Sequence, residues 1–175
     1  MITAEQLRRI MPRVDAGRWL DPLINTLFEF EIDTDRRLAA FIAQIAHESG
    51  EFRYVRELAT GQAYEGRRDL GNTEAGDGQR FKGRGLIQIT GRRNYYACGK
   101  ALGLDLIAHP ERLEEPEFAA RSAGWYWQTH GCNELADSEN FEAITRRING
   151  GLNGYTERLN YWARAKDVLT EDTMP

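Results

Sequence analysis

Residues 33–50, "DTDRRLAAFIAQIAHESG", carry the clearest helical pattern in this chain. The apolar residues of this stretch recur at intervals of three and four, which places them on one helix face: Leu38, Phe41, Ile42 and Ile45. Asp33 or Asp35 suits the N-cap, and Gly50 suits the end because glycine readily adopts the left-handed conformation found there. The stretch therefore predicts a long helix with one buried face and with Glu48 in its last turn.

Helical patterns also occupy most of the remaining chain. They cover residues 4–11, 17–30, 94–104, 116–131, 139–151 and 156–169. Thr3 is placed to cap the first of these helices. Pro22 is expected in the first turn of the second, where its missing N–H group breaks no helical hydrogen bond.

The middle of the chain has a different character. Seven of the chain's 17 glycines lie between Gly66 and Gly91, which indicates an irregular loop. Helices on both sides of one glycine-rich loop predict a mainly α protein of two helical lobes with a central cleft. The length fits one catalytic domain, residues 1–175, with no separate wall-binding domain.

A short segment, "GLIQIT" at residues 85–90, follows the glycine-rich loop and is predicted to be extended. Side chains alternate between the two faces of an extended chain, so Ile87 and Ile89 are expected to face the core. The opposite face then carries Leu86, Gln88 and Thr90. An amide and a hydroxyl there could orient sugar hydroxyls or a water molecule.

Composition excludes several classes of protein. The chain is 41% hydrophobic and 29% charged, and it has neither an apolar run long enough to span a membrane nor the pattern of a secretory signal peptide. A net charge of −4 disfavours a nucleic-acid binder, although residues 67–93 hold seven basic and three acidic side chains. That segment is expected to be a solvated loop, with a basic wall beside a ligand as the alternative.

Cys98 and Cys132 are expected to be free, buried thiols, and no cofactor is implied.

Two glutamates are the first candidates for chemistry. Glu48 continues the apolar stripe of its helix, so its carboxyl is expected to be partly desolvated, which suits a general acid. Glu57 follows nine residues later, and a turn at Gly50 could bring it back to face Glu48 across a groove. Hydrolysis of a glycosidic bond needs two such carboxyls, and Glu51 competes with Glu57 for the second role. A zinc site is disfavoured because Glu51 stands where H-E-x-x-H requires its second histidine.

Four blocks, taken in order, resemble glycoside hydrolase family 19. They are "AHESG" at 46–50, "YEGRRDLGNTEAGDGQRFKGRGLIQITGRRNYY" at 64–96, "SAGWYW" at 122–127 and "ITRRINGGLNGYTERLNYW" at 144–162. The similarity covers roughly residues 35–169 and is closer to phage-type endolysins and related bacterial enzymes than to plant chitinases. It implies a two-lobed, lysozyme-like helical fold.

The resemblance also implies roles for individual residues. Glu48 matches the general acid, Glu57 the general base, and Thr90 a hydroxyl residue that helps hold the attacking water. The matched sugar-binding and supporting positions are Gln88, Asn94, Asn149, Arg158, His47 and Arg84. The implied mechanism is a single displacement with inversion, in which the two carboxyls are separated by roughly 6.5–9.5 Å.

Peptidoglycan is the first substrate that the resemblance implies. On this hypothesis the chain is a monomeric muramidase-type endolysin that stays in the host cytoplasm until a holin gives it access to the glycan strands of the wall. It has no nucleic-acid partner and no stable membrane insertion. A chitinase is the alternative, because chitin also contains β-1,4-linked N-acetylglucosamine. A non-catalytic glycan binder is disfavoured, since a binder needs neither Glu48 nor Glu57.

Overall fold

The computed structural model describes residues 1–171, which form nine α-helices and three short 3-10 turns. The helices are α1 (Ala4–Ile10), α2 (Ala16–Glu29), α3 (Asp35–Ser49), α4 (Asp77–Arg80), α5 (Arg92–Leu102), α6 (Pro116–Thr129), α7 (Cys132–Asp137), α8 (Phe141–Asn149) and α9 (Tyr155–Glu171). The 3-10 turns are Gln62–Tyr64, Arg68–Leu70 and Pro110–Glu114. The prediction of a mainly α protein is confirmed.

Helix α3 is the centre of the fold. Most of its side chains are buried on every face, so it is a core helix rather than an amphipathic surface helix. It packs along α9, and Phe41 meets the Trp127 ring of α6 edge-to-face at 5.3 Å. The C-terminal end of this rigid helix holds Glu48, so the core fixes the position of that residue.

Local signals predicted most helix ends correctly. Thr3 caps α1 through a capping box with Gln6, and Gly50 ends α3 with a left-handed φ of 57°. The N-cap of α3 is Thr34, however, and not Asp33 or Asp35. The Thr34 hydroxyl accepts the backbone N–H of the third residue of the helix at 3.2 Å, and Asp35 is already the first helical residue.

Pro22 lies inside α2 rather than in its first turn, so that prediction is wrong. A proline in a helix interior costs about 3 kcal/mol. The same helix buries Trp19, Leu23 and Leu27, and each large apolar side chain contributes about 1.5–3 kcal/mol when fully buried. Burial of this face therefore outweighs the cost of the proline.

The segment 85–90 is a closed turn and not an extended strand. Arg84 and Ile89 pair through both of their backbone groups, at 3.1 and 2.8 Å, and Gln88 between them has a left-handed φ of 58°. Ile87 and Ile89 are buried as predicted, but Leu86 is buried too. The predicted alternation fails because a tight turn does not place successive side chains on opposite faces.

The glycine-rich segment is a solvated loop in its first part, since most residues of 65–76 are exposed, whereas arginines cross-link its later part to the fold. Buried Arg84 donates to Glu114 at 2.8 Å, to the Arg80 carbonyl at 2.8 Å and to the Tyr95 hydroxyl at 3.0 Å. Arg92 donates to both carboxylate oxygens of Asp77, at 2.7 and 2.8 Å. Arg84 and Arg92 therefore form ion pairs with carboxylates of this protein and are not free to bind a ligand.

Asp77 is expected to make the stability of the fold depend on pH in the acidic range. Its side chain is 2% exposed, and the hydrogen bonds from Arg92 hold its pKa below the ordinary value. A lowered folded-state pKa contributes stability above the unfolded pKa of about 3.9, and this stability is lost as the pH falls through the folded value. We expect Asp77→Asn to lower Tm at pH 7 by about 6–12 °C, for a loss of about 3 kcal/mol.

The difference in Tm between wild type and Asp77→Asn should shrink when melting curves are recorded at successively lower pH, down to about pH 2. Asp69→Asn is the matched control, because Asp69 pairs with Arg67 on the surface and its loss should leave Tm nearly unchanged. A constant difference between wild type and Asp77→Asn across this range would contradict the assignment.

Both cysteines are free and buried, as predicted. Burial raises the pKa of each thiol, Cys98 and Cys132, to about 12. Neither thiol is therefore ionised near neutral pH.

Among the helices of residues 1–171, none has the length and apolar character needed to cross a membrane.

Candidate active site

The two candidate glutamates line one cleft. The cleft has a volume of about 270 Å³ and lies where the C-terminal end of α3 meets the segment that follows it and the turn at 85–90. Its lining consists of Glu48, Tyr54, Arg56, Glu57, Leu58 and Gln88. The turn after α3 therefore brings Glu57 back beside Glu48, as the nine-residue spacing predicted.

Glu48 is held by a buried arginine. Its side chain is 19% exposed, and Nη2 of Arg158, a residue of α9 with 0% exposure, donates to its Oε1. The other guanidinium nitrogens donate to Gln44 Oε1 at 2.6 Å and to the Asn153 carbonyl at 3.1 Å. Gln44 in turn donates to the Thr145 hydroxyl at 2.8 Å. Arg158 is thus fixed on three sides, and it neutralises and orients the Glu48 carboxyl.

Glu57 has a different environment. Its backbone N–H donates to the Gly83 carbonyl at 3.0 Å, and its Oε2 accepts the Tyr64 hydroxyl at 3.0 Å. Burial, reinforced by this bond to Glu57, raises the pKa of Tyr64, so the phenol remains a donor. Oε1 of Glu57 is buried and accepts no hydrogen bond from the residues that the structure describes. A buried carboxylate oxygen of this kind is suited to accept a hydrogen bond from water.

Three of the predicted site residues converge on Gly83. A Cβ atom placed there would lie 2.7 Å from Gln88 Oε1, 2.8 Å from Glu57 Oε2 and 3.3 Å from Thr90 Oγ1. The three oxygen atoms therefore surround one small volume that only glycine leaves open. Thr90 itself donates to the Gln88 carbonyl at 3.0 Å, which orients its hydroxyl.

Gly83→Ala is predicted to impair activity more than folding. The φ of Gly83 is not positive, so alanine is tolerated by the backbone, but its methyl group would displace the oxygen atoms of Glu57 and Gln88. A displacement of about 1 Å can lower the rate about 100-fold, so we expect kcat to fall about 10- to 100-fold. Gly17→Ala, in α2 and without such contacts, is the matched control. Unchanged kcat in Gly83→Ala would contradict the assigned geometry.

The two predicted supporting residues lie beside the cleft rather than in its lining. His47 Nδ1 contacts Glu157 at 2.7 Å, and its ring packs so closely on Gly154 that a Cβ atom there would lie 2.2 Å from it. Arg84 holds the base of the turn at 85–90, and its backbone also bridges to Arg56. Arg84 therefore connects two segments that carry lining residues, and His47 connects α3 to the start of α9, the helix of Arg158.

Among the described residues, the hydrogen bonds of Asn94 and Asn149 go to neither Glu48 nor Glu57. Asn94 is exposed and donates to the Thr90 carbonyl at 2.8 Å. Asn149 accepts the backbone N–H of Asn153 at 3.3 Å, and the Asn153 carbonyl accepts from Arg158. Asn94 thus bonds directly to a candidate site residue, whereas Asn149 is linked to Arg158 through Asn153. A sugar-binding role for either asparagine stays a prediction.

Sequence reasoning missed Gln44 and Tyr64, which hold Arg158 and Glu57 respectively. Gln44 is fully buried in α3 and precedes Glu48 by four residues, so it lies on the same helix face. A glutamine inside an apolar stripe was a usable signal for this position. Tyr64 lies in the irregular segment, where no periodicity indicates which side chains meet.

Within residues 1–171, no group of three or more His, Cys, Asp and Glu side chains is arranged to hold a metal ion.

A family profile described as chitinase class I, glycoside hydrolase family 19, matches residues 31–147. The matched part includes Glu48, Glu57, Gln88 and Thr90. The chain belongs to glycoside hydrolase family 19. As a family 19 protein it is a glycoside hydrolase.

Relatives of known sequence extend this assignment. A glycosyl hydrolase family 19 domain-containing protein of Haemophilus influenzae is 38% identical over 166 residues, covering 77% of this chain and 80% of the relative. The Arabidopsis thaliana endochitinase At2g43610 is 41% identical over 117 residues, covering 66% of this chain. The matched region is only 40% of that plant enzyme, so this family 19 chain corresponds to less than half of its length.

A solved structure confirms the fold. Chitinase C from Streptomyces griseus superimposes with a TM-score of 0.78 at 25% identity, covering 97% of this chain and 76% of that one. The predicted mainly helical, lysozyme-like family 19 fold is therefore confirmed.

Proposed function

We propose that this glycoside hydrolase cleaves β-1,4-glycosidic bonds by a single displacement with inversion, with Glu48 as general acid and Glu57 as general base. The observation that carries the proposal is the contrast between two carboxyls on one cleft. Glu48 contacts a buried cation, and Glu57 keeps one buried oxygen without a partner. Two carboxyls in unlike environments suit one acid and one base, and the order of the roles is the one that the resemblance to family 19 implies.

The proton transfers follow from these two roles. Glu48 donates its proton to the glycosidic oxygen as the bond to the anomeric carbon breaks, and Arg158 stabilises the carboxylate that is left. Glu57 removes a proton from a water molecule that attacks the opposite face of the sugar. The oxygen atoms of Gln88 and Thr90 lie beside Glu57, where they can orient that water. The predicted carboxyl separation is roughly 6.5–9.5 Å, which leaves room for it.

Peptidoglycan is the substrate we propose first, with the protein acting as an endolysin. The cleft lining includes Arg56, whose side chain is 58% exposed and whose contact with Glu114 is long, at 3.6 Å. An exposed and loosely paired cation in the cleft favours a glycan that carries carboxylates, as the peptide-bearing strands of peptidoglycan do. In this proposal the monomeric enzyme accumulates in the host cytoplasm and reaches the wall through a holin.

Chitin is the second candidate. It is favoured by the chitinase class I profile, by the plant endochitinase relative and by the fold shared with chitinase C. Those proteins are named for chitin, and the chemistry proposed for Glu48 and Glu57 suits either polymer.

A two-substrate assay separates the candidates. The protein is incubated with purified Gram-negative sacculi and, separately, with soluble chitin oligomers, and reducing ends are counted in both. We expect faster release from sacculi than from chitin, and loss of that release in Glu48→Gln. Faster cleavage of chitin would favour the second candidate. If the first product formed retained the β-configuration by NMR, the inverting mechanism would be excluded for either substrate.

A further inference from the structure

Three consecutive residues between the catalytic glutamates have left-handed backbones. The φ angles are 57° at Gly50, 62° at Glu51 and 66° at Phe52. Glycine adopts this conformation freely, but a residue with a Cβ atom pays roughly 1–2 kcal/mol. The turn between Glu48 and Glu57 is therefore strained at two positions, and the surrounding structure must hold it.

Phe52 supplies one of the restraints. Its ring is buried against Trp19 of α2 in an edge-to-face contact at 5.2 Å. Its backbone N–H donates to the Ser49 hydroxyl at 2.8 Å. These contacts attach the turn to the core but do not reach the cleft.

Glu51 supplies the other restraint, and it does so as a buried anion. Its side chain is 4% exposed. The carboxylate accepts the backbone N–H of Arg13 at 2.6 Å, the Arg13 guanidinium at 3.1 Å and the Tyr161 hydroxyl at 2.8 Å. Burial alone would raise the pKa of Glu51, but the hydrogen bonds from Arg13 and Tyr161 outweigh it and lower the pKa.

Helix α9 binds both sides of this turn. Arg158 donates to Glu48, and Tyr161, one helical turn further along α9, donates to Glu51. The same helix thus fixes the carboxyl that ends α3 and the strained residue that redirects the chain toward Glu57.

We infer that Glu51 is a positioning residue whose buried carboxylate, held by Arg13 and Tyr161, maintains the left-handed turn and so sets the separation of the Glu48 and Glu57 carboxyls. The inference rests on the proposed function of those two glutamates. Glu51 is not among the residues that line the cleft, so it does not compete with Glu57 for the base role. Its own role is to hold the turn between the two glutamates.

Glu51→Gln tests this assignment, because it keeps the shape of the side chain and removes its charge. We expect kcat on the cleaved glycan to fall about 10- to 100-fold with KM nearly unchanged, since misplacement by about 1 Å has that effect. The acidic limb of the pH–rate profile should persist, because the proposed general base, Glu57, is unchanged in this variant. Loss of that limb would identify Glu51 as the base and overturn the inference.

Tyr161→Phe is the second variant, in case Glu51→Gln folds poorly. It removes one hydrogen bond from Glu51 and should lower kcat by a smaller factor. Tyr155→Phe, on the same helix but outside this cluster, is the matched control. If both test variants had the wild-type kcat and only a lower Tm, Glu51 would be a purely structural residue and the inference would be wrong.

Crystal structures of wild type and Glu51→Gln give a readout that needs no turnover. We expect residues 51 and 52 to leave the left-handed region in the variant, or the distance between the Glu48 and Glu57 carboxyls to change by about 1 Å or more. An unchanged turn and distance would refute the inference even if no glycan were cleaved. Conversely, an inactive wild type with the expected structural change would count against the proposed function alone.

Discussion

Glu48→Gln should lower kcat on the cleaved glycan by about 100- to 10,000-fold, the usual contribution of a general acid. Glutamine fits the same space beside Arg158 but has no proton to give to the leaving oxygen. The folded state should remain, because the amide oxygen can still accept from the guanidinium. Initial rates and melting curves measured on the same preparation separate the two effects.

The pH–rate profile sharpens this test of Glu48. A general acid must be protonated, so its titration produces the alkaline limb of the profile, and Glu48→Gln should lose that limb. Glu5→Gln is the matched control, since Glu5 is exposed in the first turn of α1 and far along the chain from the cleft residues. Activity of Glu48→Gln close to that of the control would show that another group supplies the proton.

Arg158→Met should have the largest combined effect on stability and rate. It removes a buried cation and leaves Gln44 and Glu48 without their donor. Breaking a buried pair costs about 3 kcal/mol or more, which corresponds to a fall in Tm of about 6–12 °C for a chain of this size. We expect kcat to fall by about 100- to 1,000-fold as well, because the carboxylate formed at Glu48 loses its stabilising charge.

Arg146→Met is the control for Arg158→Met. Arg146 pairs with Glu142 on the surface of α8, and such pairs contribute about 0.3–0.5 kcal/mol.

A double variant adds a direct test of coupling. Because Arg158 and Glu48 act through one contact, Glu48→Gln combined with Arg158→Met should lower kcat by less than the product of the single effects. Fully multiplicative effects would show that Arg158 does not act through Glu48.

Helix α3 shows what could be read directly from the sequence. Its apolar spacing and the glycine at its end are local signals, and they predicted both the helix and the placement of Glu48 in its last turn. The turn at 85–90 shows the limit of such signals. Its pattern "GLIQIT" fits a strand, but the backbone pairing of Arg84 with Ile89 closes it into a turn, and a pattern of polarity does not encode that pairing.

The sequence by itself indicated seven of the nine described helices, the family and the candidate carboxyls, but it did not predict α4 or α7. The resemblance to family 19 favoured Glu57 over Glu51 as the proposed base, but only the tertiary structure showed how different the surroundings of these two glutamates are. Glu51 is bound by Arg13, which lies 38 residues away, and by Tyr161, which lies 110 residues away. Glu57 instead keeps a free oxygen atom in the cleft lining. Both are glutamates near a turn, and the difference depends on which of them meets distant donors, a property of the packed chain and not of its local pattern.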